Sequence, residues 1–379
     1  MSYQSTYKPA GSVAAAIESH FLGQNMKACQ EAGASTATPP PLWVIEALVD
    51  AAFWASLRKE EGNPPKISLA YLTPAQAGGP LLFEQRLPLN ADVLTKLAPG
   101  VERAGIHLGV WDEDGELYIW GTTLTIPNLC FVLDVSEPGL LVIKHRRMCG
   151  FGKFTNVAVL KGDQVKIIDN HGALLPDCPP MLKVLLDLNS AGDWNDPVNV
   201  LIQLAVSMRS HGRGGALLVV PTGSHEWRHS IIHPVQYAIA PAFGGITSLT
   251  AHDGSEGASR WQGSLGREVA HIAGLTAVDG ATVVNEQHEL LAFGAKIGRK
   301  KGSDPVDRIS FVEPIQGSST VVVHPGHIGG TRHLSAAQFV YDQRNAVALV
   351  ASQDGHFTVF SWSSSSNMVA AYRIDTLLL

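Results

Sequence analysis

The sequence is poor in cysteine, in long apolar runs and in charge. Four cysteines, Cys29, Cys130, Cys149 and Cys178, are scattered over 379 residues with no CxxC pair, a spacing that excludes a disulfide scaffold and a thiolate zinc site. They read as reduced thiols. No segment approaches the roughly 20 consecutive apolar residues of a membrane helix, and the start, Met1-Ser-Tyr-Gln-Ser-Thr-Tyr-Lys8, has no apolar secretory core. The expectation is a soluble, cytoplasmic protein that engages no membrane. Charged residues make up only 16%, with 28 Lys+Arg against 34 Asp+Glu for a net charge of −6, so the phosphate-neutralising excess of a DNA-binding protein is missing. Small anionic ligands stay open.

Glycine and proline, by contrast, are plentiful at 37 and 22 residues, and they cut the chain into the short elements of mixed α and β domains. A chain this long calls for two cores. Residues 1–41 hold a short helical stretch around Val13 to Phe21 and a small-residue and proline run, Gly33 to Pro41, and read as a flexible leader. Leu42, Ile45, Val49, Phe53 and Leu57 recur at helical spacing before a stop at Gly62-Asn-Pro-Pro65. Strand-like runs follow at 67–72, 106–111, 117–121, 130–136, 139–145, 157–160 and 165–168, with turn chemistry at Asp112-Glu-Asp-Gly115 and Lys161-Gly-Asp163. Residues 42–172 therefore read as a strand-rich N-terminal domain and 173–194 as a linker. Beyond it the pattern predicts a helix over 197–209, a buried strand over 216–220, a helix over 265–276, a hairpin over 282–297, a helix ending near Tyr341 and strands over 346–351 and 357–362. The class is α/β or α+β.

Two motifs carry chemistry. His225-Glu-Trp-Arg-His229 has the HExxH spacing of zinc hydrolases, which need both histidines on one face of a helix with the glutamate as base. Pro221-Thr-Gly-Ser224 before it and Pro234 after it leave no room for a long metal helix, so the zinc reading ranks last. The second motif is a pair, Asp279-Gly280-Ala281 and Gly329-Gly330-Thr331-Arg332-His333. A Gly-Gly-Thr run opening a helix presents backbone N–H groups and the positive end of the helix dipole to an anion, and Arg332 adds a guanidinium suited to phosphate. Together with a carboxylate and a histidine this is equipment for metal-assisted phosphoryl or nucleotidyl transfer.

The Asp279-Gly-Ala281 and Gly330-Thr-Arg-His333 signatures, their interval and the order of elements make residues 195–365 similar to the diadenylate cyclase superfamily. Phe293-Gly-Ala-Lys-Ile297 and Ser352-Gln-Asp-Gly355 resemble more narrowly its DACNV branch, described as a probable sensor. The resemblance implies a mixed sheet flanked by helices, with residues 366–379 as a C-terminal tail. It implies an enzyme condensing two ATP into cyclic di-AMP across a homodimer or higher homo-oligomer, with Mg or Mn as cofactor and ATP or another nucleotide as partner. It assigns catalysis to Asp279, Arg332 and His333, nucleotide binding to Gly280, Ala281, Gly330, Thr331 and Ser352, and metal ligation to Asp279, His333 and Asp354. Leu334 departs from the family, standing where its second arginine belongs. That departure keeps a catalytically weak or inactive nucleotide-binding sensor, signalling to a partner, as the alternative.

Overall fold

The computed structural model describes residues 5–31, 36–148, 154–169, 176–188, 196–250 and 258–379. It divides into two units, residues 1–168 and 169–379, each with helices and one mixed sheet. Among the described residues no helix is long and apolar enough to cross a membrane.

The first unit runs α1 (Lys8–Glu31), α2 (Leu42–Ser56), β1 (Ile67–Tyr71), β2 (Leu81–Pro88), α3 (Ala91–Val101), β3 (His107–Glu113), β4 (Glu116–Thr123), β5 (Phe131–Glu137), β6 (Leu140–Arg146), β7 (Phe154–Lys161) and β8 (Gln164–Ile167). The strands form a sheet of order β2-β4-β3-β1-β5-β6-β7-β8, antiparallel except for β1 beside β3. Alternation sorts its residues. Leu69, Leu108, Leu133, Val135 and Ile143 join the core beneath the three helices, and the intervening positions turn to the other face. The leader expected over residues 1–41 is largely structured. Ala10, Val13, Ala14, Ile17 and Phe21 are fully buried on one stripe of α1, and Asp50 accepts hydrogen bonds from the Thr6 and Tyr7 backbone. Ile17 and Phe21 give this stripe its bulk, and it packs against α2 and the β7–β8 side of the sheet.

The second unit contains α4 (Pro180–Leu185), α5 (Pro197–Ser210), β9 (Gly215–Val220), β10 (Tyr237–Phe243), α6 (Gly245–Thr250), α7 (Ala258–Leu275), β11 (Ala281–Asn285), β12 (Leu290–Ala295), β13 (Ile309–Val312), β14 (Val321–Val323), α8 (Thr331–Asp342), β15 (Val347–Ala351), β16 (Phe357–Ser363) and β17 (Met368–Arg373). Sheet order is β10-β12-β11-β9-β15-β16-β17-β13-β14. Every residue of β9 is buried, as a central strand with both faces covered requires. Ala216, Leu218 and Val220 share a core with Ala336, Ala337, Phe339 and Val340 of α8, and Leu217 and Val219 occupy the opposite face. Two expectations change here. The linker over 173–194 contains α4, whose Met181, Leu182, Val184 and Leu185 are buried. The tail over 366–379 contains β17, an internal strand between β16 and β13, followed by buried Thr376, Leu377 and Leu378.

Candidate functional site

Strand register collects the second motif at one end of the second sheet. β9 and β11 are parallel, with Thr282 opposite Leu217, so the Gly214-Gly215 and Asp279-Gly280 segments enter the sheet side by side. β12 is antiparallel to β11 and brings Ala295 opposite Ala281, delivering Lys296 beside Asp279, Nζ to Oδ2 3.8 Å. β15 is antiparallel to β9 and places Ala351 opposite Gly215, so the Ser352–Asp354 turn reaches the same end.

The N-terminus of α8 lies over this edge. A cavity of about 430 Å³ is lined by Asp279, Gly280, Ala281, Lys296, Thr331, Arg332 and Ser335, with Ala216, Ile232, Ala295 and Ile297 supplying apolar wall. A second, of about 360 Å³, lies against Gly330, Thr331, Arg332, His333, Ser352, Gln353 and Asp354. Thr331 and Arg332 border both.

Local conformation explains the glycines. Gly280 has φ +108, and a Cβ on it would stand 2.5 Å from the Gly294 carbonyl carbon. Gly214, at φ +72, leaves space that the Arg332 guanidinium occupies, since a Cβ there would meet Nη1 at 3.1 Å. The α8 N-cap is Gly330, which offers no side chain to the first amides, so the helix end retains its hydrogen-bonding capacity for a ligand. Arg332 is half-buried with no hydrogen-bond or ion-pair partner among the described residues. A guanidinium in that position calls for an anion.

His333 is placed differently from the sequence expectation. It is 3% exposed, lies under Gly329, where a Cβ would meet its Nδ1 at 2.2 Å, and has Nε2 3.3 Å from Thr358 Oγ1. Burial, with Arg373 nearby, holds its pKa down to about 4. The ring borders the second cavity and does not line the one that contains Asp279. Asp354 accepts a hydrogen bond from the Ser352 hydroxyl, which lowers its pKa, and it too faces the second cavity. The expected metal trio of Asp279, His333 and Asp354 is thus divided, and among the described residues no group of three His, Cys, Asp or Glu side chains is arranged to hold a metal. Asp279, a single exposed carboxylate, still fits Mg or Mn in one respect. Such hard cations are commonly held by one or two carboxylates together with substrate phosphates.

Of Lys296, Arg299, Lys300 and Lys301, only Lys296 lines the first cavity, and Leu334 is exposed and lines neither. Sequence reasoning missed Gly214 as the seat of Arg332. The Gly212-Arg-Gly-Gly215 run between the 197–209 helix and the 216–220 strand carried its signal.

The HExxH residues do not form a metal helix. Glu226–Ser230 is a single 3-10 segment with His225 at its N-cap, and at about 120° per residue positions four apart diverge by about 120° instead of sharing a face. Glu226 faces Lys300 at 3.9 Å. His271 is exposed on α7 beside Glu268, and His252 lies outside the described residues.

Residues 34–124 match the sequence family described as "Probable sensor domain DACNV". Over those residues the chain is similar to DACNV. The match falls in the first unit, covering α2 through β4, whereas the sequence motifs resembling that branch lie in the second. No curated protein matches the sequence.

Proposed function

We propose that the second unit binds ATP at the α8 N-terminus and condenses two molecules into a cyclic dinucleotide, and that the first unit, with its DACNV match, supplies the sensory input. The observation that supports this reading best is the half-buried, unpartnered Arg332 at an uncapped helix start, in a cavity that also holds Asp279. The α8 amides and Arg332 take phosphate oxygens, Gly280 lets the nucleotide approach the backbone, and Asp279 orients the 3′-hydroxyl that attacks the α-phosphorus of the facing ATP as the α–β P–O bond breaks and pyrophosphate leaves. Asp279, together with the nucleotide phosphates, would hold Mg or Mn, which would supply charge neutralisation at the transferring phosphate. Each copy of the second unit holds one nucleotide, so two copies of the chain face each other and most of the acceleration comes from aligning the reactants. His333, neutral and enclosed, positions the start of α8.

Incubation of the full chain with ATP and Mn²⁺, followed by mass spectrometry, is expected to show a cyclic dinucleotide. Asp279→Asn, nearly isosteric, should lower its formation by at least about a hundredfold, and unchanged turnover would remove Asp279 from the site. Arg332→Ala should raise the ATP Kd by roughly tenfold to a hundredfold, the loss of a charge-assisted contact worth about 1.5–3 kcal/mol. Leu334 favours the second reading, a binding-only sensor. ATP binding without product, unrestored by Leu334→Arg, would select it.

A further inference from the structure

The first unit has a polar cluster of its own on the sheet face turned away from the helices. Ser68 on β1 is paired in register with Asp134 on β5, and His107 opens the neighbouring strand β3, whose Leu108 lies opposite Leu69. Lys144 on β6 lies opposite Val132, on the same face as Asp134. These side chains meet. Ser68 Oγ donates to Asp134 Oδ1 at 2.5 Å and stands 2.7 Å from His107 Nδ1. Lys144 Nζ pairs with Asp134 Oδ2 and sits 4.3 Å from the centre of the Phe154 ring, whose edge contact with His107 closes the group.

The cluster forms one wall of a cavity of about 530 Å³, and the α3–β3 connection, with Glu102, Arg103 and Gly105, forms the rim. Although serine, histidine and aspartate come together, their order is wrong for a nucleophile. The single hydroxyl proton of Ser68 goes to a carboxylate that can only accept, so His107 must donate to Ser68 through Nδ1 and cannot act as its base. The arrangement is built for binding.

Its two carboxylates each face a cation, and one cation is left over. Both Asp134 oxygens are engaged, and Glu102 faces Lys66 at 3.7 Å. Lys144, only 14% exposed, holds one oxygen with three N–H groups, and Arg103 has no side-chain partner among the described residues. Three cationic and two carboxylate side chains line the space, and the Phe154 ring with Ile67 and Val101 provides apolar wall. We propose that this cavity is a ligand site for a small oxyanion, a carboxylate or a phosphate ester, whose charged group rests on Lys144 and Arg103. The site is independent of the nucleotide reading of the second unit, and it gives the DACNV-matched region a chemical input.

Calorimetric titration of the full chain with benzoate and, separately, with inorganic phosphate tests it. At least one should bind at low millimolar concentration, benzoate alone marking a carboxylate ligand and phosphate alone a phosphate ester. Lys144→Gln should weaken that binding about tenfold, the loss of one charge-assisted contact. Arg103→Ala, at the exposed rim and neutral for folding, should weaken it about threefold or more. Because the α8 site also takes phosphate, the titrations are repeated in the Arg332→Ala background, where the binding that remains should keep its dependence on Lys144 and Arg103, which separates this site from the one at α8. Absence of binding by both probes, or binding that Arg332→Ala removes and Arg103→Ala spares, would overturn the proposal.

Discussion

Acidification from pH 7 to pH 4 is expected to remove stability on the order of 5 kcal/mol from the second unit, through two histidines held neutral by burial. His288, in the β11–β12 turn, and His333, under the α8 N-terminus, are each 3% exposed, and burial is the largest cause that holds both pKa values down to about 4. In the unfolded chain both titrate near the ordinary histidine value of about 6.5. Between those values the unfolded state takes up protons that the folded state refuses. The stabilising contribution is therefore complete above about pH 6.5 and is lost as pH falls toward 4, at roughly 3 kcal/mol for each ring. Urea denaturation monitored across this range should show the midpoint falling steadily with pH. His288→Asn should remove about half of the slope. A midpoint that stays level down to pH 4 would mean that neither ring is enclosed as described.

Gly280→Ala carries the second large effect, because it faults the site and the fold together. The new Cβ would lie 2.5 Å from the Gly294 carbonyl carbon and 2.7 Å from its oxygen, in a backbone conformation of φ +108 that L-residues rarely adopt. Both obstacles are backbone, so no side chain can swing aside. Overpacking and strain together should cost roughly 2–5 kcal/mol, with β11 and β12 forced apart and Asp279 displaced from Lys296. Equilibrium unfolding and ATP calorimetry on the variant check both consequences. Gly266→Ala supplies the contrast. Gly266 lies within α7 with nothing within 4 Å of its Cβ position, so the same chemical change should stabilise by about 0.5–1 kcal/mol. Equal effects of the two substitutions would contradict the close approach at Gly280.

How far the sequence discloses these features depends on whether the signal is local. The hairpins at Asp112–Gly115 and Lys161–Asp163, and the buried strand Gly215–Val220, follow from turn residues and continuous apolar composition, and the structure has all three. β2 escaped because it is an edge strand: six of its eight residues are exposed and it ends on Pro88, so it shows neither alternation nor an apolar run. β17 escaped because Met368–Arg373 follows a serine-rich turn and looks like the start of a tail, although its pairing with Ile309–Val312 supplies a reason to be buried.

The same division applies to the sites. Asp279 and Arg332 were legible since each sits in a short motif, whereas the burial of His333 depends on Gly329 and Thr358 enclosing it from two elements. Ser68, His107, Asp134 and Lys144 are spread over 77 positions on four strands. Only register brings them together.

The two cavities at the start of α8 have one further consequence, in how many anions that helix end can hold. Thr331 and Arg332 belong to both walls, so one guanidinium and one set of free amides serve two compartments. An anion seated in either neutralises the charge that would attract another, and two anions flanking the same short turn repel. Separate anions in the two compartments would therefore compete for the same guanidinium, each weakening the hold on the other.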